Sequence, residues 1–176
     1  MGRNHEAISA FEKALEIDPK HHQAWCNLGT ILNGLGRYKE AIAAYKQALE
    51  IDPKFHMARY SLGNVLKNLG RYSEAISAFE TALEIDIKFV HHPWNGLGIS
   101  LNGLGRNSEA IAAFETALEI DPKFYMAWNG LGATLSDLGR DKEAIAAYKQ
   151  ALEINPKSHH AWNGLGNVLK NLRRYS

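Results

Sequence analysis

The stretch EAIAAYKQALEIDPK at residues 40–54 returns as EAIAAYKQALEINPK at residues 143–157, with a single residue changed. Leu-Gly pairs recur in step with it, beginning at residues 28, 62, 97, 131 and 165, so that their spacings are 34, 35, 34 and 34 residues. A period of this length is typical of proteins that stack like units, each too small to bury its own apolar face. The sequence therefore predicts an array of repeats.

Each unit has the pattern of two helices. In the first helix, Trp25, Leu28 and Leu32 fall at the spacing of one buried stripe, and Gly36 follows as a left-handed helix stop. The second helix carries a stripe of its own and ends before Pro53, because proline cannot continue a helix. The expected fold class is all-α, built from antiparallel helical hairpins.

These residues resemble the tetratricopeptide repeat (TPR) pattern at its expected offsets. The matching residues in one unit are Trp25, Leu28, Gly29, Ala41, Tyr45, Ala48 and Pro53, and the pattern recurs from Trp94 and again from Trp128. The resemblance implies a right-handed α–α superhelix, or solenoid, of tetratricopeptide hairpins. It also implies a non-enzymatic protein-interaction scaffold that holds an extended peptide or a partner helix in its concave groove.

The repeat register divides the chain into a single array spanning residues 1–176. We expect a half repeat with only the second helix at 2–21, repeats at 22–55, 56–90, 91–124 and 125–158, and a half repeat with only the first helix at 159–176. The second repeat is irregular, since Arg59 replaces the tryptophan, Ile87 replaces the proline, and residues 84–94 hold one extra residue. Either the packing angle changes at this junction or the turn absorbs the insertion.

A second stripe on each first helix, opposite the buried one, is predicted to line the groove and to bind peptide. Its candidate residues are Asn27, Met57, Tyr60, Asn64, Lys67, Asn95, Met126, Asn129, Asn163 and Asn167. A side-chain amide offers two donors and an acceptor, which match the N–H and C=O groups of an extended main chain. The glycine after each Asn of the recurring WNGLG motif is expected to let a ligand backbone approach.

This pattern resembles the asparagine ladder that lines tetratricopeptide superhelices attached to some glycosyltransferases. The alternative is that asparagine is an inherited consensus residue of recently duplicated units. A carboxylate clamp for a chaperone tail is disfavoured, because Cys26, Tyr60, Asn95 and Asn129, which all lie on this groove-lining stripe, stand where its first lysine would be. Lys67 and Lys170 are also too far apart in the array to form one clamp.

The half repeats suggest a different function, a structural array that stacks head to tail through its ends. The face of Ala7, Ile8 and Phe11 lacks a partner of the kind that Trp162, Leu165 and Leu169 offer. Such a contact does not close on itself and can propagate. Head-to-tail homo-oligomerisation is therefore the alternative to the peptide-binding hypothesis.

Other functions are disfavoured by composition and motifs. The net charge of +1 gives no concentrated cationic field for nucleic acid, and single-stranded RNA reading would need stacking aromatics in the groove. No phosphate-binding glycine loop or metalloprotease motif occurs, so we expect neither catalysis nor a cofactor. Adjacent histidines at the unit junctions diverge on a helix and are a poor metal site. Neither a membrane span nor a secretory signal is visible, which favours the cytoplasm.

Overall fold

The computed structural model describes residues 2–85 and 91–175, and every regular element in that part of the chain is an α-helix. The helices are α1 (Gly2–Ile17), α2 (His22–Gly34), α3 (Tyr38–Ile51), α4 (His56–Asn68), α5 (Tyr72–Ile85), α6 (His91–Gly103), α7 (Asn107–Ile120), α8 (Tyr125–Asp137), α9 (Asp141–Ile154) and α10 (His159–Tyr175). The predicted all-α fold class is confirmed. The chain forms two compact units, Met1–Ile87 and Lys88–Ser176.

Each unit is a row of helices in which every helix packs on the next. In the first unit α2 also contacts α4, and in the second unit α8 contacts both α6 and α10. The even-numbered helices are the first helices of their repeats, and the odd-numbered helices are the second. Both kinds of helix supply fully buried residues, and in α3 Ala41, Ala48 and Tyr45 are almost fully enclosed. Small residues therefore bring the helices together while an aromatic ring fills the space between them.

The turn inside each hairpin ends the first helix with a left-handed glycine. Gly36 has φ +74°, and the N–H of the next residue, Arg37, donates to the carbonyl of Leu32 at 2.9 Å. Gly36 thus acts as the predicted helix stop, since a side chain would be strained at this φ. The Arg37 guanidinium then donates twice to the carboxylate of Glu40, at 2.6 Å each, over the first turn of α3.

The indoles of Trp25, Trp128 and Trp162 tie their first helices to the turns before them. The Nε1–H of Trp25 donates to the carbonyl of Pro19 at 3.0 Å, and Trp128 donates to Pro122 at 2.9 Å. In the irregular second repeat, the Arg59 guanidinium donates to the same kind of acceptor six residues back, the carbonyl of Pro53, at 3.3 Å. Arg59 therefore takes over the hydrogen bond that tryptophan makes elsewhere.

The irregular junction predicted at residues 84–94 falls largely on residues 86–90, which lie outside the described residues. The expected change of packing angle there stays a prediction, as do the repeat boundaries assigned from the sequence. On the near side α5 ends at Ile85, and on the far side α6 begins at His91 with Pro93 in its first turn. Proline is accommodated there because the first turn of a helix has no internal acceptor for its missing N–H.

Candidate functional site

The candidate site is the surface that the first helices present opposite their buried stripes, which we call the first-helix face. In the first unit it is formed by α2 and α4, and in the second unit by α6, α8 and α10. By helical phase, this face lies opposite the stripe of each first helix that packs on the second helices.

In the first unit, the amides of the first-helix face are hydrogen-bonded within their own helices. The Oδ1 atom of Asn27 accepts from Nε2 of Gln23 at 3.1 Å, and Oδ1 of Asn64 accepts from Nζ of Lys67 at 3.1 Å. Partial burial lowers the pKa of Lys67. Both asparagines are half-buried. A ligand that used these acceptors would have to displace the present donors.

The remaining candidates of the first unit are apolar or aromatic. Met57, in the first turn of α4, is 47% exposed. Tyr60 is half-buried, with its ring 6.1 Å from that of Phe79 between centroids. Met57 can therefore add an apolar contact for a ligand, whereas Tyr60 already belongs partly to the packing of α4 on α5.

In the second unit, three asparagines occupy one register. Asn95, Asn129 and Asn163 are each the fifth residue of their helices, α6, α8 and α10. Asn95 is 8% exposed, Asn129 is half-buried and Asn163 is exposed. This gradient follows the packing order, since α8 lies against α6 and α10 lies against α8.

The amide oxygens of Asn95 and Asn129 are buried without a hydrogen-bond partner. The side-chain nitrogens of the same two residues are not enclosed in this way, and no bond within the described chain occupies them. Leaving a buried oxygen unsatisfied costs about 1–3 kcal/mol. A folded protein seldom carries two such groups in one register, so they mark this part of the first-helix face.

Further along the same face, polar side chains connect neighbouring repeats. Nδ2 of Asn102, in α6, donates to Oδ2 of Asp137, at the end of α8, at 3.3 Å. The exposed Asn167 lies in α10, and Met126, 41% exposed, lies in the first turn of α8. Sequence reasoning did not include Asp137 among the candidates. Its position at the end of a first helix, where the other repeats have Asn or Gly, is the signal that could have identified it.

The glycines of the recurring WNGLG motif serve packing, and the expectation that they admit a ligand backbone is wrong for two of them. A Cβ atom at Gly130 would lie 2.5 Å from Cε1 of Phe114. One at Gly164 would meet the ring of Tyr148 just as closely. Each glycine therefore makes room for the aromatic ring of the preceding second helix.

Cys26 was expected on the groove-lining stripe, but it is 2% exposed. Burial raises the pKa of its thiol to about 11, so the thiol is neutral at physiological pH. The same enclosed region holds Tyr45, whose hydroxyl donates to Oγ1 of Thr30 at 3.3 Å. Cys26 is thus a packing residue with a poorly reactive sulfur.

The histidines at the unit junctions make ring contacts. The rings of His91 and His92 lie 4.2 Å apart between centroids, and those of His159 and His160 lie 4.0 Å apart, although neighbours on a helix ordinarily diverge. Within residues 2–85 and 91–175, no group of three or more His, Cys, Asp or Glu side chains is arranged to hold a metal ion.

None of the helices in the described part of the chain combines the length and the apolar character needed to cross a bilayer.

The fold has counterparts among solved structures. A crystal structure of MamA is 28% identical, with a TM-score of 0.81 over 89% of this chain and 91% of its own. YrrB, described as a TPR protein with an unusual peptide-binding site, is 26% identical, with a TM-score of 0.76 over 94% of this chain and 85% of its own. MamA from Desulfovibrio magneticus RS-1 shares the fold with a TM-score of 0.82 at 21% identity, covering 90% of this chain and 89% of that one.

Comparisons with family models agree with the fold. A model of the protein prenyltransferase alpha subunit repeat matches residues 4–35, and no curated protein sequence matches the chain. Tetratricopeptide repeat models match residues 22–55, 56–123, 95–159 and 147–176, and together they span the chain from residue 22 onward. With repeated helical hairpins, left-handed glycine turns and these matches, the chain belongs to the tetratricopeptide repeat family.

Proposed function

We propose that this chain is a non-enzymatic protein-interaction scaffold that binds an extended peptide along its first-helix face. The observation that carries the proposal is the pair of buried, unpartnered amide oxygens of Asn95 and Asn129 in equivalent positions of neighbouring first helices. A similar protein, YrrB, is described as having a peptide-binding site. That description supports the class of ligand and leaves its sequence open.

The two amides would bind the main chain of the ligand. Their nitrogens are not among the buried unpaired atoms, so each would donate to a carbonyl of the ligand, and small shifts on binding would bring N–H groups of the ligand to the two oxygens. Both side chains are held by packing before the ligand arrives, which lowers the entropic cost of binding. Main-chain recognition of this kind tolerates many ligand sequences, and exposed Met126 would add an apolar contact.

The spacing of the repeats favours one ligand conformation. Packed helices lie about 8–10 Å apart, and a polyproline II chain rises about 3.1 Å per residue with three residues per turn. Every third carbonyl of such a chain therefore points to the same side at about the spacing of adjacent first helices. We expect Asn95 and Asn129 to contact carbonyls three residues apart in an extended ligand of this type.

The test is selection of binders from a library of random short peptides, followed by affinity measurement on the double variant Asn95→Ala/Asn129→Ala. We expect the variant to bind the selected peptides at least about tenfold more weakly, because each lost hydrogen bond is worth about 0.5–1.5 kcal/mol. The stability of the free protein should be unchanged or higher, since two unsatisfied oxygens are removed. A purely structural role would instead lower stability and leave peptide affinity unchanged.

A matched control uses the exposed asparagines Asn68 and Asn171 of other first helices. The variant Asn68→Ala/Asn171→Ala removes the same groups from the same kind of helix and should bind peptide like the parent protein. Equal affinity of the parent and the Asn95→Ala/Asn129→Ala variant, or failure of the library to yield any binder, would overturn the proposal.

A second candidate function, head-to-tail self-association, is favoured by the unequal burial of equivalent leucines. Leu169 in α10 is 48% exposed, whereas its counterpart Leu135 in α8 is 5% exposed beneath the following second helix. Phe11 in α1 is only half-buried, while its counterpart Phe114 is fully enclosed. The α1 helix of a second copy therefore has the residues that would cover α10.

Sedimentation velocity over a hundredfold range of concentration tests this second function. An increase in the size of the particles with concentration would support it, provided that Leu169→Glu abolishes the increase and Leu138→Glu does not. Leu138→Glu is the control, because Leu138 is similarly exposed at the end of α8. A monomer at every concentration would exclude it. The absence of nucleic-acid and membrane partners, of catalysis and of a cofactor, and the cytoplasmic location, stay predictions.

A further inference from the structure

We propose that two equivalent pockets on the side of the first helices opposite the first-helix face each bind a lysine or arginine side chain from an apolar, basic segment of a partner protein. One pocket, of about 320 Å³, lies where α1, α2 and α3 meet. The other, of about 340 Å³, lies where α7, α8 and α9 meet. This site is separate from the proposed peptide-binding face and does not depend on it.

The floor of each pocket is apolar and rigid. In the first pocket it consists of Trp25, Leu28 and Leu32, and in the second of the equivalent Trp128, Leu131 and Leu135. Both indoles are half-buried and are held in place by hydrogen bonds to proline carbonyls. The floor of each pocket thus includes a fixed indole on which the aliphatic part of a ligand side chain can pack.

The rim of each pocket carries an excess of negative charge. In the first pocket, Arg37 is paired with Glu40, and Glu12 is a further exposed carboxylate on α1. The hydrogen bond with Glu40 is the main cause that raises the pKa of Arg37, and the charge of Glu12 adds to it. With Arg37 already neutralised by Glu40, Glu12 leaves the rim with a net charge of −1. A cation is therefore the complementary group.

The second pocket repeats this arrangement of charges. Arg140 is paired with Glu143 at 2.6 Å, and Glu115 on α7 occupies the place of Glu12. The pKa of Arg140 is raised mainly by its hydrogen bond with Glu143, and the charge of Glu115 adds to this. The two units thus present the same combination of aromatic floor and acidic rim.

The second repeat supplies a natural contrast at the corresponding place. There Lys46 stands where Glu12 stands in the first pocket, and Arg59 stands where Trp25 does. The pKa of Glu74 is lowered mainly by its hydrogen bond from Arg71, and the charge of Lys46 lowers it further. The corresponding surface is therefore cationic and lacks the indole, so a basic segment would avoid it.

The proposed occupant follows from these features. A lysine or arginine side chain buries its aliphatic stem on Trp25 and its leucines, while its cationic head reaches Glu12. The face of the indole adds a cation–π attraction. A neighbouring leucine of the partner segment would cover the rest of the apolar floor. An acidic segment would meet the uncompensated carboxylate and be repelled.

The experiment uses the full chain and two synthetic probes, acetylated and amidated peptides in which leucine alternates with lysine or with glutamate. Binding is followed by NMR through the indole N–H signals, with the signal of Trp25 assigned from the variant Trp25→Arg. We expect the lysine peptide to move the signals of Trp25 and Trp128, and the glutamate peptide to leave them in place. Trp162, whose preceding second helix carries Lys149 at the position of Glu12, should move least.

The decisive variant is Glu12→Lys/Glu115→Lys, in which both positions receive the residue that the second repeat already carries as Lys46. We expect it to bind the lysine peptide about five- to tenfold more weakly, because attraction becomes repulsion at each rim. The control Glu16→Lys/Glu119→Lys makes the same change of net charge on the same two helices, one turn beyond the pockets, and should keep most of the affinity.

Three outcomes would overturn the proposal. The lysine peptide could leave both indole signals unmoved, the glutamate peptide could bind equally well, or the pocket and control variants could lose affinity to the same degree. The third result would mean that the peptide responds only to the overall charge of the protein. A selective loss in Glu12→Lys/Glu115→Lys, with both indole signals shifted in the parent protein, supports the site.

Discussion

At the scale of single residues, a glycine in one repeat makes room for a side chain of the neighbouring repeat. Gly130 lies on α8, but the space that its missing side chain leaves is filled by the ring of Phe114, which belongs to α7. Phe114 is almost fully buried and has no free direction in which to move. The repeat that contains α7 can therefore pack on the next repeat only if residue 130 lacks a side chain.

We expect Gly130→Ala to lower the free energy of unfolding by about 1–3 kcal/mol, because the new methyl group would overlap a fixed aromatic ring. Gly166→Ala is the control, since a Cβ atom at Gly166 has no atom within 4 Å. That change should raise stability by about 0.5–1 kcal/mol through helix propensity. Urea unfolding of both variants measures the difference, and equal effects would refute the packing argument.

His92 is a residue whose titration should affect the second unit. Burial lowers its pKa, and the charge of His91 lowers it further, while Asp121 opposes both effects. Its ring also packs against Phe124, with 5.0 Å between centroids. As the pH falls, His92 takes up a proton in the unfolded chain, near its ordinary pKa of about 6.5, before it does so in the folded protein. Neutral His92 therefore stabilises the fold above about pH 6.5, and this contribution is lost as the pH falls through the pKa of the folded state.

The variant His92→Gln should therefore show a weaker decrease in thermal stability between pH 7 and 5 than the parent protein. The control His5→Gln makes the same change at an exposed histidine of α1, in the first unit. Melting temperatures measured across this range by circular dichroism provide the check. An unchanged pH profile for His92→Gln would show that His92 is not the titrating group.

At the scale of helices, Arg59 shows how the array tolerates a lost consensus residue. Its guanidinium keeps the hydrogen bond to the carbonyl of Pro53 that an indole makes in other repeats, but its Nε atom is buried without a partner. Replacing Arg59 by Trp should keep the bond and remove the unsatisfied donor.

We expect Arg59→Trp to raise the free energy of unfolding by about 1 kcal/mol. Arg59→Leu, which loses both the hydrogen bond and the charge, is expected to lower it by a similar amount. Chemical denaturation of the two variants separates the effect of the hydrogen bond from that of apolar burial, because leucine is buried but cannot donate the hydrogen bond. Equal gains in both variants would contradict the anchoring role.

The sequence predicted the helices well because their signals are local. The apolar spacing from Trp25 onward, the stop at Gly36 and the end of α3 before Pro53 all depend on residues within one hairpin. The environment of the candidate site could not be predicted in the same way. Asn95 is buried through the approach of α8, and Cys26 is buried as well, although helical phase alone placed both on an open stripe.

At the scale of the whole molecule, equivalent residues of different repeats contribute differently to stability, depending on where the repeat lies in the array. A repeat depends on its neighbours for part of its buried surface, so the stability of the chain is approximately a sum of repeat and interface contributions. Leu135 and Leu169 occupy the same position in α8 and α10, yet they are 5% and 48% exposed. The difference arises because α9 packs on α8, whereas no second helix in the described chain follows α10.

We therefore expect Leu135→Ala to lower the free energy of unfolding by about 2–5 kcal/mol, as is usual for an enclosed leucine. Leu169→Ala should cost less than about 1 kcal/mol in dilute solution, because much of its side chain is already in contact with water. Thermal unfolding at two protein concentrations measures both variants. If copies of the chain stack head to tail, the cost of Leu169→Ala will grow with concentration, since association adds its free energy to stability by mass action. A cost equal to that of Leu135→Ala in dilute solution would show that α10 is covered within the single chain and would remove the basis for stacking.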